Sequence, residues 1–208
     1  MEEHEYALLG GINRATIGRY LAIVSAAASS LLVWALSSLI DLGRQLGAPI
    51  NITPALFSLI SASAIFTFLY WLFNKYIWKY PPISNLLKTP DLSGSWKCYG
   101  KKLNQDGSVE LEWDGELTII QSWDKFRVRL LTKSSASNSI TAALAHDAAD
   151  GYRLLYSYRN EPKIDQPELA SHRGYASILF TPSLKTGNGE YFNGAGRISF
   201  GTMQLKRK

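Results

Sequence analysis

The spacing of apolar and polar positions changes abruptly partway along the chain. Tyr20–Ile40 and Ala48–Phe73 contain no charged residue. Each run exceeds the roughly 20 apolar residues an α-helix needs to cross a hydrocarbon core about 30 Å thick. From Asp91 onward no such run recurs, and short alternating segments are broken by Gly, Asn, Asp and Ser. The pattern predicts a two-helix transmembrane hairpin over residues 1–80, a Pro-containing linker over 81–90 and an all-β domain over 91–208. Ala26-Ala27-Ala28-Ser29 has the small residues of a signal-cleavage site. The acidic start (Glu2, Glu3, Glu5) and the length of the run favour a retained helix.

The flanks set the expected orientation. Arg14 and Arg19 precede the first run, Lys75, Lys79 and Lys88 follow the second, and Arg44 between them is offset by Asp41. The positive-inside rule then puts both termini and the β domain in the cytoplasm, with two spans in the inner membrane. Tyr70, Trp71, Tyr76, Trp78 and Tyr80 read as an interfacial aromatic belt. Pro49 and Pro54 bracket a second helix expected to begin near Thr53, and Pro81-Pro82 is expected to end any helical continuation. Small residues recur four apart at Ser25/Ser29, Ala26/Ser30 and Ser58/Ala62, a spacing that lets helices approach closely in lipid, within one hairpin or between protomers.

About eight strands are expected after the linker, near 94–102, 109–121, 125–133, 139–146, 152–159, 173–181, 189–193 and 197–206. Val109, Leu111, Trp113, Leu117 and Ile119 oppose Glu110, Glu112, Asp114, Glu116 and Thr118, while Phe126, Val128 and Leu130 oppose Arg127 and Arg129. One wet and one buried face point to antiparallel pairing. Eight strands joined by short turns close most simply into an up-and-down, lipocalin-like barrel, which has no open edge and room for one small ligand; a two-sheet sandwich is the alternative. Gln121 shares an apolar face and needs a structural partner near the membrane end. Trp113 reads as core.

Charge and chemistry narrow the function. The net charge of +5 over 208 residues is too scattered to imply DNA or RNA binding. One cysteine, Cys98, excludes an intramolecular disulfide, fits a reducing compartment, and shares parity with Trp96, so it reads as a buried, inert thiol. The histidines are His4, His146 and His172, and no phosphate loop, nucleophile elbow or metal-ligand cluster is present in the sequence. Neither an enzyme, nor a catalytic residue, nor a metal or cofactor is expected.

The β domain opens with Asp91-Leu92-Ser93-Gly94-Ser95-Trp96. This Gly-x-Trp resembles the start of a lipocalin-type barrel, where the Trp plugs the closed end. The short N-terminus, the two-helix hairpin, the Pro81-Pro82 linker and the small barrel together resemble the two-transmembrane, β-strand-rich effectors of bacterial CBASS antiviral defence, which are associated with CD-NTases. The resemblance covers the whole chain and rests on architecture. It implies that the barrel binds a cyclic dinucleotide or other cyclic oligonucleotide made by a CD-NTase. It further implies that the protein then forms a homo-oligomer and disrupts inner-membrane lipid, aborting infection.

Strand alternation places the nucleotide-binding candidates Tyr156, Tyr158, Arg159, Arg173, Tyr175, Tyr191 and Arg197 around the rim distal to the membrane, with the 159–172 connection as a candidate lid. Arginine suits phosphates and tyrosine faces suit bases. Parity sets a limit, because Tyr156 and Tyr158 facing inward would turn Arg159 outward. Two other readings stay open: a membrane-tethered carrier of an apolar ligand, and a membrane-tethered scaffold with a solid barrel.

Overall fold

A computed structural model describes residues 2–47, 54–166, 168–194 and 198–208, with backbone alone over 54–60. Contacts divide the chain into two units. One is Ile12–Ile77, and the other joins the segment up to Gly11 with Trp78–Lys208.

The first unit is a helical hairpin. Helix α1 (Arg14–Gln45) has 32 residues, and Asn13 caps it by accepting a hydrogen bond from Ala15 N at 2.8 Å. At 1.5 Å per residue it is ~48 Å long, which carries Asp41 and Arg44 beyond its apolar centre. Among the described residues α1 is the one helix long and apolar enough to cross a membrane. Helix α2 (Pro54–Lys75) has 22 residues; Pro49 and the helix start expected at Thr53 lie outside the described residues. Ser25 and Ser29 are buried, and Ser29 Oγ lies 2.8 Å from Ser61 Oγ, so this small-residue pair serves packing within the hairpin. Ala26 and Ser30 face outward. At the end of α2, Lys75 Nζ sits 5.7 Å above the Trp71 ring and 5.3 Å from that of Tyr76, and both rings are half exposed.

Trp78 departs from the expected aromatic belt: it is fully buried in the second unit. The linker departs too. Ile77–Lys79 forms a 3₁₀ turn and Pro81–Leu87 forms a short helix, α3. Tyr80 is extended, so helical continuation stops before Pro81-Pro82 as expected, but the prolines also open a new helix, since prolines at the first helical positions lose no hydrogen bond. Leu87, Thr89 and Leu92 are buried, making the linker part of the barrel's base.

The β domain is a closed barrel of nine strands. Eight form the expected antiparallel meander: β2 (Gly94–Leu103), β3 (Val109–Gln121), β4 (Lys125–Thr132), β5 (Ser135–Asp147), β6 (Gly151–Pro162), β7 (His172–Phe180), β8 (Thr186–Gly194) and β9 (Ser199–Arg207). Each pairs with the next and β9 returns to β2. The fifth begins at Ser135, earlier than expected, because small alternating serines continue the strand where they read as a turn.

The ninth strand, β1 (His4–Leu9), lies ahead of the hairpin and was not anticipated. β4 and β5 pair directly only over Arg129–Leu131 and Ala136–Asn138, and then separate. β1 fills the gap, antiparallel to β4 at His4 and Glu5 and parallel to β5 from Tyr6 to Leu9. The bulge at Ser139/Thr141 marks the split. There Ser139 Oγ accepts from Val128 N at 2.9 Å and lies 2.7 Å from His4 Nε2. Just beyond β1, Gly11 runs so close to α3 that a Cβ would lie 2.7 Å from Leu87 O.

The end of the barrel nearest α3 is plugged. Trp96 is fully buried, meets Phe180 edge-on at 5.1 Å, and donates its indole N–H to Leu92 O at 3.1 Å. The Arg207 guanidinium covers the indole at 5.3 Å and donates to Ser93 O at 2.6 Å. Gln121 fills its expected structural role, accepting from Leu92 N at 2.8 Å and donating to Pro90 O at 3.1 Å. Cys98 is buried among these apolar groups, which pushes its thiol pKa up to about 12.

Candidate functional site

The opposite mouth of the barrel opens into a cavity of about 270 Å³. Pleat geometry explains its lining. Every second residue of a strand points inward, so β6 contributes Tyr156, Tyr158 and Asn160, β5 contributes Ser135 and Ser137, and β8 contributes Tyr191 and Asn193. Trp113, Leu130, His172, Ser199 and Met203 complete most of the wall. Three of the expected site residues, Tyr156, Tyr158 and Tyr191, thus converge on one space.

Three others do not. Arg159 pairs opposite Arg173 on adjoining strands, and both side chains project from the outer wall, where Arg159 Nε lies 3.2 Å from Glu161. Tyr175 also faces outward and packs tilted against Phe192 at 5.5 Å. The period-2 rule that turns Tyr158 in turns its neighbour Arg159 out, and the strand continues to Pro162 instead of ending where Arg159 could curl over the lip. Arg197 lies outside the described residues.

Polar groups organise the mouth. The Tyr158 hydroxyl donates to Asn193 Oδ1 at 2.7 Å, and Asn193 Nδ2 donates to Ser199 Oγ at 2.8 Å. Asn160 Nδ2 donates to Ser135 Oγ at 3.0 Å. His172 is buried at the level of Asn160, with Nδ1 3.2 Å from Ala170 O. The charged lining residues are Lys102, Lys133, Glu112 and Asp114. Lys102 is paired with Glu110, and Glu112 accepts Lys101 at 3.1 Å. Lys133, in the turn between β4 and β5, is exposed and has no hydrogen bond or ion pair among the described residues.

Deeper in, the wall becomes neutral and aromatic. Trp113 was expected in the core but lines the cavity, and its indole N–H donates to the Tyr191 hydroxyl at 3.1 Å. Its ring lies flat over Gly100, where any Cβ would sit 2.0 Å from the indole, so only glycine lets Trp113 occupy this wall. Burial drives the phenol pKa of Tyr156 well above its usual value, with nearby Cys98 and Tyr158 adding to the effect; burial likewise raises that of Tyr158. Both stay neutral hydrogen-bonding groups at any physiological pH.

Sequence reasoning placed the mouth at the distal rim and found its tyrosines. It missed the inward serines and asparagines, which carry no distinguishing composition, although the Ser135/Ser137/Ser139 alternation was a usable signal.

Comparison with known proteins gives this arrangement a family. Residues 87–207 match the family model described as Cap15, cyclic dinucleotide receptor domain, and residues 15–79 match that described as Cap15, TM helices. The chain is 40% identical over 207 residues to CD-NTase-associated protein 15 of Yersinia aleksiciae, covering 100% of this chain and 98% of that protein. A barrel with an open polar mouth, preceded by an apolar helical hairpin, is accordingly not an isolated design: the chain belongs to the Cap15 family of CBASS effectors.

Proposed function

We propose that this protein is a membrane-anchored effector whose barrel binds a cyclic oligonucleotide made by a CD-NTase, and whose liganded form assembles into homo-oligomers that disrupt the inner membrane. The carrying observation is the cavity itself: a mouth ringed by tyrosines, amides and hydroxyls, within the segment matched to a cyclic dinucleotide receptor domain. Stacking faces and neutral donors suit nucleotides, whereas a lipid carrier calls for an apolar lumen. The role is binding rather than catalysis.

The anchoring reading is two spans with both termini and the barrel cytoplasmic. It is supported by connectivity, because β1 precedes the hairpin, β2–β9 follow it, and they share one barrel. A chain that leaves one side through α1 must return through α2. The basic flanks favour the cytoplasmic side.

A ligand shifts only states that it binds differently, so the bistable element in this reading is the assembly. Co-expression of the full chain with its synthase should make cells take up a membrane-impermeant dye, and the chain with a catalytically dead synthase should not. Equal dye uptake in both would sink the ligand-gated reading. A reporter at Lys208 that is active only in the periplasm should stay silent.

A further inference from the structure

Resting on the receptor reading above, we propose that the cavity takes one nucleobase of the messenger, edge first, while the phosphates stay at the mouth on the Lys133 side. Three observations carry this. The first is size. About 270 Å³ falls below the ~300–1,000 Å³ of pockets that enclose drug-sized ligands, and a cyclic dinucleotide has two bases, two riboses and two phosphates. Part of the ligand enters and the rest lies outside.

The second is charge. The charged lining residues are Lys102 near the end of β2, Lys133 in the β4–β5 turn, and Glu112 and Asp114 on either side of Trp113 in β3, while His172 is paired across strands with Asn160. The rest of the inward-facing wall includes Ser137, Tyr156, Leu130, Trp113 and Met203, none of them cationic, and Tyr156 lies deeper along β6 than Asn160. A phosphate there would be a buried charge without a partner, whereas a base is neutral. On the β3 side of the mouth stand Glu112 and Asp114, which repel phosphate. Lys133, unpaired among the described residues, stands on the other.

The third is a pair of hydroxyls left free. Ser137 is 5% exposed and Tyr156 is 3% exposed; both line the cavity, and neither side-chain oxygen has a hydrogen-bond partner among the described residues. Two neutral hydroxyls that line one cavity without a protein partner are available to a ligand edge. Ser137 and Tyr156 on adjoining strands then read the base, flanked by the Trp113 and Tyr158 rings, and Lys133 holds the backbone without reading sequence.

The test is titration of the full chain in detergent micelles with cyclic di-AMP, cyclic di-GMP, cyclic di-UMP and cyclic tri-AMP. Tyr156→Phe and Ser137→Ala, both near-isosteric, should weaken the preferred ligand about fivefold to tenfold and compress its preference over the others. Lys133→Gln should weaken all ligands by a similar factor and make binding less salt-sensitive. Unchanged thermal melting shows that each variant is folded, and the Lys133→Gln pattern serves as the internal contrast. Uniform loss across the panel in Tyr156→Phe and Ser137→Ala, or no loss, overturns the base-first orientation while leaving the receptor reading intact. Failure of the unaltered chain to bind any of the four overturns the receptor reading and this inference with it.

Discussion

Tyr6 packs its ring against Phe126 at a centroid distance of 5.0 Å and donates its hydroxyl to Ser122 O at 3.3 Å, so a residue that precedes the helical hairpin is core to the domain that follows it. The N-terminal segment is therefore a structural strand. It covers the backbone edges that β4 and β5 expose where they part.

Removing residues 2–9 should lower the melting temperature and weaken ligand binding. Tyr6→Ala alone should cost about 3 kcal/mol, as for other truncated buried aromatics. By contrast, replacing residues 12–77 with a Gly/Ser linker should leave a folded, ligand-binding barrel, because Gly11 and Trp78 belong to one compact unit and residues 12–77 to the other. Equal stability with and without residues 2–9, measured by thermal unfolding, would show that β1 is dispensable.

The eight-strand meander was largely legible: Val109–Gln121 matches its expected bounds, and most other ends shift by one to four residues. β1 was illegible for a physical reason. Its six residues bury one side chain, Tyr6, so no alternation appears, and its flanking glutamates read as a solvated tail. Of the candidate site, the tyrosines were legible through parity. Arg159 and Arg173 fall at the expected end of the barrel but on its outer wall, as strand parity already implied for Arg159.

Since both arginines face away from the cavity, Arg159→Ala and Arg173→Ala should each leave affinity for a cyclic dinucleotide within about twofold, surface changes outside a contact being nearly neutral. Calorimetric titration decides this. A tenfold loss in either would mean that the ligand wraps over the lip to the outer wall.

The hairpin offers a similar contrast. Ser29→Leu should disturb packing of α1 on α2, because Ser29 already meets Ser61. Ala26→Leu and Ser30→Leu alter an outward face and should spare ligand binding while reducing assembly and dye uptake. Crosslinking in membranes with and without ligand reads the assembly. Undiminished assembly in Ala26→Leu and Ser30→Leu would remove this face from the contact between protomers.

Alkaline pH should unfold the barrel progressively. Below pH 9.0 the Cys98 thiol is protonated whether folded or not. Between 9.0 and about 12 the unfolded chain ionises it and the folded chain does not. Stability therefore falls across that window, by up to about 4 kcal/mol from this group, with Tyr156 and Tyr158 acting in the same direction at higher pH. Urea melts at pH 8 and pH 10 should show the decline, and Cys98→Ala should flatten it. At pH 8 a maleimide should label Cys98 only after unfolding.

The position of β1 also imposes an order on biosynthesis. It leaves the ribosome before either helix, while its partners β4 and β5 emerge after both. In the two-span reading proposed above, a chain in which only one helix crossed would leave β1 across the bilayer from its slot and the barrel wall breached at the β4–β5 seam. In that reading the seam closes only in a chain whose two helices have both crossed, whichever way round they insert.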